Sequence, residues 1–168
     1  MIHLSLAKIF IFSITSPKKI AAFRLLPIGK VIQYVFIFVF ILSILSFIHF
    51  TTGLKEDSTS IEGLFTYLEN KKWILYPFAF VVQFIMSTLL LFIRISLMAF
   101  LGMYILKILK RRGEYRHVWR STVFSYTIPT VLSIVLLYVG ITDGWILMIT
   151  TLTCVIYLTF ALKYYPKK

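Results

Sequence analysis

The chain alternates between long charge-free apolar runs and short polar stretches, and the runs have the length needed to cross a membrane. Val31–Phe50 contains no charged residue. A helix of about 20 residues rises roughly 30 Å, one hydrocarbon thickness. A second run opens at Ile74 and stays apolar to Ile93, where Arg94 interrupts it, and apolar residues then resume through Leu106. A third covers about Ser121–Gly140 and contains Pro129; a fourth covers about Trp145–Leu162. A transmembrane strand would alternate polar and apolar positions, and none of these runs does. The pattern predicts an all-α fold, a polytopic membrane bundle of four transmembrane helices at about 31–50, 74–93, 121–140 and 145–162, with 51–73 as an outer loop.

The second run is too long for one upright crossing and too short for two. As one straight helix, residues 74–106 would reach roughly 50 Å, and two spans would need about 40 residues. One crossing is expected, its helix either continuing past the hydrocarbon to about residue 109 or kinking near Arg94. Ser96, Ala99 and Gly102 fall at helical spacing and form a small-residue face for close packing. That face predicts that the extension packs against protein.

The segment before the first span, residues 4–14, is apolar but followed rather than preceded by Lys18 and Lys19, and no small-residue cleavage site follows it. It reads as an N-terminal interfacial helix with Lys8 snorkelling. In the outer loop, Thr59 and Glu62 have capping-box spacing, and Ile61, Leu64, Phe65 and Leu68 share a face, so a short helix is expected there.

Composition agrees with a lipid environment. Of the 168 residues, 60% are hydrophobic and only 14% charged, with mean hydropathy +0.91; soluble domains are nearer half apolar and a quarter charged. The net charge of +12 is not spread evenly. Lys8, Lys18, Lys19, Arg24 and Lys30 precede the first span; Lys107, Lys110, Arg111, Arg112, Arg116 and Arg120 lie between the second and third; Lys163, Lys167 and Lys168 close the chain. With four spans these groups fall on one side, and five of the six acids, Glu56, Asp57, Glu62, Glu69 and Asp143, fall on the other. The positive-inside rule then predicts that both termini are cytoplasmic. Basic residues beside apolar runs point to anionic lipid headgroups rather than nucleic acid.

Candidate chemistry is sparse. No Asp or Glu falls inside a span, so paired carboxylates for acid–base work are absent. His3, His49 and His117 lack ligand spacing, and Cys154 is the one cysteine, so neither a metal site nor a cofactor is expected. Ser125 and Ser133 have no base in sequence view. No catalytic activity is predicted. Arg94 is either a residue at the cytoplasmic border or a buried cation joined by Gln83, Ser87 and Thr88. Pro129 should loosen the third helix by removing a backbone bond, with Tyr126, Thr127 and Thr130 as replacement partners. Pro77 reads as a first-turn proline. Arg111, Arg112, Arg116, Arg120, Lys18 and Lys19 are the candidate lipid or partner contacts.

Three stretches carry a family resemblance: SPKKIAAFRLLPIGKVIQYVF at Ser16–Phe36, LKRRGEYRHVWRSTVFSYTIPTVL at Leu109–Leu132, and the closing YYPKK at Tyr164–Lys168. Together they resemble a family of uncharacterised membrane proteins of Gram-positive bacteria, a domain of unknown function, some of whose members are labelled maltodextrin utilisation protein. That family is similar in turn to Yip-type membrane proteins, which share a basic loop before a Tyr-x-x-Pro helix, here Tyr126 to Pro129. Its members carry a much longer extracytoplasmic segment than the 51–73 loop of this chain. The resemblance implies a multi-pass protein of the bacterial cytoplasmic membrane and attaches no catalytic role to any residue. Two roles stay open: a non-catalytic scaffold or accessory subunit that binds another membrane protein or its own copy, and a solute-transport component linked to maltooligosaccharides.

Overall fold

The computed structural model describes residues 6–56 and 71–167. The capping box and short helix expected around Thr59–Leu68 lie outside the described residues. Among the described residues the chain forms seven helices: α1 Leu6–Thr15, α2 Pro17–Phe23, α3 Ile28–Glu56, α4 Lys72–Ile108, α5 Tyr115–Ser125, α6 Thr127–Tyr138 and α7 Asp143–Leu162. No strand is present among them, only one isolated antiparallel bridge, Arg111 to Lys167.

Four stretches are long and apolar enough to cross a membrane: Ile28–His49, Trp73–Ile108, Tyr115–Tyr138 and Gly144–Leu162. All four begin before their expected starts, at 28, 73, 115 and 144, and the second ends at Ile108, close to the expected extension to about residue 109. α3 starts three residues early, because Pro27 fixes the turn before it and the Pro27 carbonyl accepts from Lys30 and Val31 N–H. α4 is a single helix of 37 residues, roughly 55 Å long, uninterrupted at Arg94. Pro77 is its sixth residue, inside the helix rather than in the first turn expected for it. The third span begins at Tyr115, six residues before Ser121, because the polar side chains of α5 are absorbed by neighbouring protein.

The chain divides into two units, 1–32 with 93–168, and 33–92. In the second unit, α3 and α4 are zipped by edge-on aromatic pairs, Phe40 with Phe80 and Phe84, and Phe47 with Tyr76 and Phe80, at centroid separations of 5.5–6.2 Å. Gln83 Nε2 donates to Ser46 Oγ at 2.9 Å across the same pair. This bond spends one N–H of Gln83 on α3.

The first unit has a close-packed core of Ala21, Ala99, Leu106, Val118, Leu158, Leu162 and Tyr165. The small face of α4 behaves as expected. Ala99 is fully buried, and a Cβ added to Gly102 would meet Val118 Cγ1 at 2.7 Å and Leu158 Cδ2 at 3.2 Å. Trp119 Nε1 donates to Ser96 Oγ at 3.4 Å. Residues 94–108 pack against protein as expected, since Gly102 lies against Leu158 and Leu162 in the last turns of α7.

The joint at Tyr126 is a one-residue interruption whose backbone stays helical, φ −73° and ψ −13°. Pro129 is buried as the third residue of α6, so the loosening falls just before it. Thr130 Oγ1 donates to the Tyr126 carbonyl at 2.7 Å and Thr130 N–H to the same oxygen at 3.2 Å. α6 closes in a Schellman turn on Gly140, φ +80°, with Gly140 N–H to Leu137 O and Ile141 N–H to Leu136 O.

Candidate functional site

The three basic stretches that are far apart in sequence meet in the first unit. Their meeting point is Tyr165, three residues past α7 and 1% exposed. Its hydroxyl donates to the His117 carbonyl at 3.0 Å and lies 2.8 Å from Ser121 Oγ. Ser121 Oγ in turn lies 3.3 Å from the Ile20 carbonyl of α2. One phenol and one hydroxyl thus join α2, α5 and the C-terminal segment. Burial pushes the Tyr165 hydroxyl above its ordinary pKa, while the Ser121 bond and the nearby Arg24 charge act in the opposite direction.

The guanidinium groups reinforce the same junction. Arg24 lies over the Tyr165 ring, 4.7 Å from its centroid. Arg111 Nη1 donates to the Tyr165 carbonyl at 2.9 Å, and Arg112 N–H donates to the Pro166 carbonyl at 2.9 Å. Arg120 Nη1 donates to the Arg24 carbonyl at 3.1 Å, at the exit of α2, where the helix has run out of N–H partners. Phe23 and Phe124 pack edge to face at 5.1 Å beneath these bonds. The loop 109–114 must lie flat on Tyr165 to make them: a Cβ at Gly113 would meet Leu106 Cδ1 at 2.8 Å and the Tyr165 ring at 3.0 Å.

Four of the six basic candidates remain exposed. Arg112 and Arg116 project outward, Arg116 pairing with Glu114, and Lys18 and Lys19 are exposed on α2. Lys19 Nζ sits 3.2 Å above the Phe12 ring. Arg111 and Arg120 are half-buried and serve the junction. α1 is tied to this unit as well, through Tyr157 Oη, which donates toward the Ser13 and Ile14 carbonyls at 2.9 and 3.1 Å.

The other candidates do not gather. Arg94 is exposed on α4. Gln83 bonds Ser46, and Thr88 Oγ1 bonds the Phe84 carbonyl of its own helix at 2.7 Å. Tyr126 is half-buried at the α5–α6 joint, and Pro129 is buried beside it. Sequence reasoning missed Tyr165, Ser121, Arg24 and Gly113. The available signal was the YYPKK ending itself, an aromatic pair and a proline where a solvated tail would need neither.

Helices long and apolar enough to cross a membrane four times, with their basic connecting segments bonded to one another, define a multi-pass α-helical membrane protein. The chain belongs to the family described as Protein of unknown function (DUF1189), whose model matches residues 7–67 and 58–162. No curated protein and no solved structure matches it.

Proposed function

We propose that this protein is a non-catalytic scaffold or accessory subunit of the bacterial cytoplasmic membrane, with both termini in the cytoplasm, binding another membrane protein or a second copy of itself. The observation that carries this reading is how the polar groups are used. Tyr165, Ser121, Arg111 and Arg120 bond to the backbone and to one another, so the junction uses these groups to hold three chain segments in place. Contact between Arg24, Arg120 and Tyr165 also supports a common side for the three basic segments, and the excess of Lys and Arg there supports the cytoplasmic side. The helices keep much apolar surface for lipid or partner, Trp73, Phe78 and Phe100 among the most exposed.

A transport role, with the maltooligosaccharide link of the family label, needs a polar path through the helices. Gln83 is bonded to Ser46 and Gln33 is exposed, which favours the scaffold. Affinity purification in mild detergent tests the choice: a stoichiometric membrane partner or self-association is expected, and a lone chain that binds maltooligosaccharide would overturn the reading. Orientation is tested separately in a Cys154→Ser background, where Asp57→Cys should be labelled only from outside and Glu114→Cys only from inside.

A further inference from the structure

Beside the junction, at the end of α4, lies a groove of about 850 Å³. Met103, Leu106, Lys107, Lys110, Arg111 and Arg112 line it. Gly113 completes the lining and is held against Tyr165. The lining is fixed by the fold. Arg111 is anchored through one guanidinium nitrogen to the Tyr165 carbonyl, and Arg112 through its backbone N–H to Pro166. Lys110 is held at φ +52° by a Schellman turn, with Arg111 N–H bonded to the Leu106 carbonyl at 3.0 Å and Lys110 N–H to the Lys107 carbonyl at 3.2 Å. Lys107, Lys110 and Arg112 have exposed side chains, and none of the three ends in a carboxylate partner among the described residues.

We propose that this groove binds the phosphate headgroup of an anionic phospholipid. Four cationic residues lining one groove call for an anion, and Arg111, with one nitrogen already fixed, can present its remaining donors without losing rotamer freedom on binding. The apolar lining and the approach distinguish a lipid from a free anion. Leu97, Phe100 and Tyr104 are 62%, 71% and 67% exposed, and they lead at helical spacing along α4 to Lys107. A phosphate alone gains nothing from Met103, Leu106 and this stripe. A lipid lays its acyl chains on the stripe and its headgroup at the stripe's charged end, the arrangement expected of basic pockets at membrane helix ends. The site requires only that α4 cross the bilayer, and it holds whether or not a protein partner is captured.

The test uses the purified full-length chain in mild detergent. Phosphatidylglycerol should raise the thermal midpoint saturably and be retained at one molecule per chain in native mass spectra, while phosphatidylcholine and inorganic phosphate should do neither. The triple variant Lys107→Gln, Lys110→Gln, Arg112→Gln should bind phosphatidylglycerol roughly 100-fold more weakly, at one charge-contact increment per residue. Lys8→Gln, Lys30→Gln, Lys163→Gln removes the same number of charges elsewhere and should lose less than about 3-fold. Equal weakening of both variants would overturn the proposal in favour of diffuse attraction, and inorganic phosphate binding as well as the lipid would overturn the lipid assignment. Should the first variant not fold, retention of the lipid by the wild-type chain and its loss in Phe100→Asp decide the matter, since only a lipid uses the stripe.

Discussion

Tyr165 Oη and Ser121 Oγ are 2.8 Å apart, although 44 residues separate them, and the pair sits where three chain segments meet. Both groups are buried, Tyr165 at 1% and Ser121 at 0% exposure, so each relies on the other, and on the His117 and Ile20 carbonyls, for solvation that water would otherwise supply. A buried hydroxyl that loses its partner costs about 1–3 kcal/mol. Ser121→Ala should therefore destabilise by about 1–2 kcal/mol, and Tyr165→Ala, which also empties the space under Arg24 and against Gly113, by about 3–5 kcal/mol. Thermal unfolding in detergent, followed by near-ultraviolet circular dichroism, checks both; a neutral Tyr165→Ala would mean that the C-terminal segment does not hold the bundle.

The same pair makes stability depend on alkaline pH. Burial raises the Tyr165 hydroxyl pKa in the folded chain, so between the unfolded and folded values the native state holds a proton that the unfolded state has lost. Stability from this group is full below the unfolded value of about 10 and falls as pH rises above it. The wild-type midpoint should drop above about pH 10 more steeply than that of Tyr165→Phe, which starts lower for want of two hydrogen bonds. Parallel slopes would remove Tyr165 as the titrating group.

Gly102 is the closest approach in the first unit. Its added Cβ would lie 2.7 Å from Val118 Cγ1 and 3.2 Å from Leu158 Cδ2, and both neighbours are fully or nearly fully buried, so neither can give way without disturbing the core. Gly102→Ala should cost about 1–3 kcal/mol despite the higher helix propensity of alanine. Gly144→Ala at the start of α7, where nothing lies within 4 Å, is the matched control and should be neutral to stabilising. Equal effects of the two would mean that packing at Gly102 is looser than its distances indicate.

Lys110 adopts φ +52°, a conformation that costs a side-chain-bearing residue about 1 kcal/mol and glycine nearly nothing. Lys110→Gly should raise stability by roughly 0.5–1 kcal/mol while removing one charge from the groove, so the midpoint rises as lipid retention falls. A lower midpoint would show that the lysine side chain supports the fold as well as the groove.

The spans were readable because hydrocarbon imposes a simple demand, a charge-free helix of sufficient length, and Val31–Phe50 and Trp145–Leu162 meet it in sequence. The third span was read short at its start because Arg116, His117 and Arg120 look like loop residues; α5 keeps them helical by spending Arg120 on the Arg24 carbonyl and lending the His117 carbonyl to Tyr165. The junction itself was not readable. Ser121 and Ile20 are 101 residues apart, and no local periodicity encodes which distant carbonyl a serine will meet. The small face of Ser96, Ala99 and Gly102 was readable because close helix packing needs small residues at fixed spacing, wherever the partner comes from.

Arg94 tests the account of α4. It is expected at the membrane border or in a polar cavity, and it lies on the exposed surface of an uninterrupted helix, between Ile93, 54% exposed, and Leu97, 62% exposed. It precedes Gly102 by eight residues, roughly 12 Å along the helix, and Gly102 packs against the last turns of α7. An arginine on an apolar surface must extend its stem to bring the guanidinium to headgroups or water, and even at the helix centre the cost on insertion scales is about 2.5–3.5 kcal/mol. Arg94→Leu should therefore insert at least as well as wild type and fold normally. Arg94→Glu should insert worse, because a short carboxylate cannot reach as far and the change weakens the positive-inside signal. Glycosylation mapping of membrane insertion measures both. Poorer insertion of Arg94→Leu would mean that the charge itself holds α4 in register, and a folded Arg94→Leu protein that no longer captures its partner in mild detergent would make Arg94 part of the binding surface.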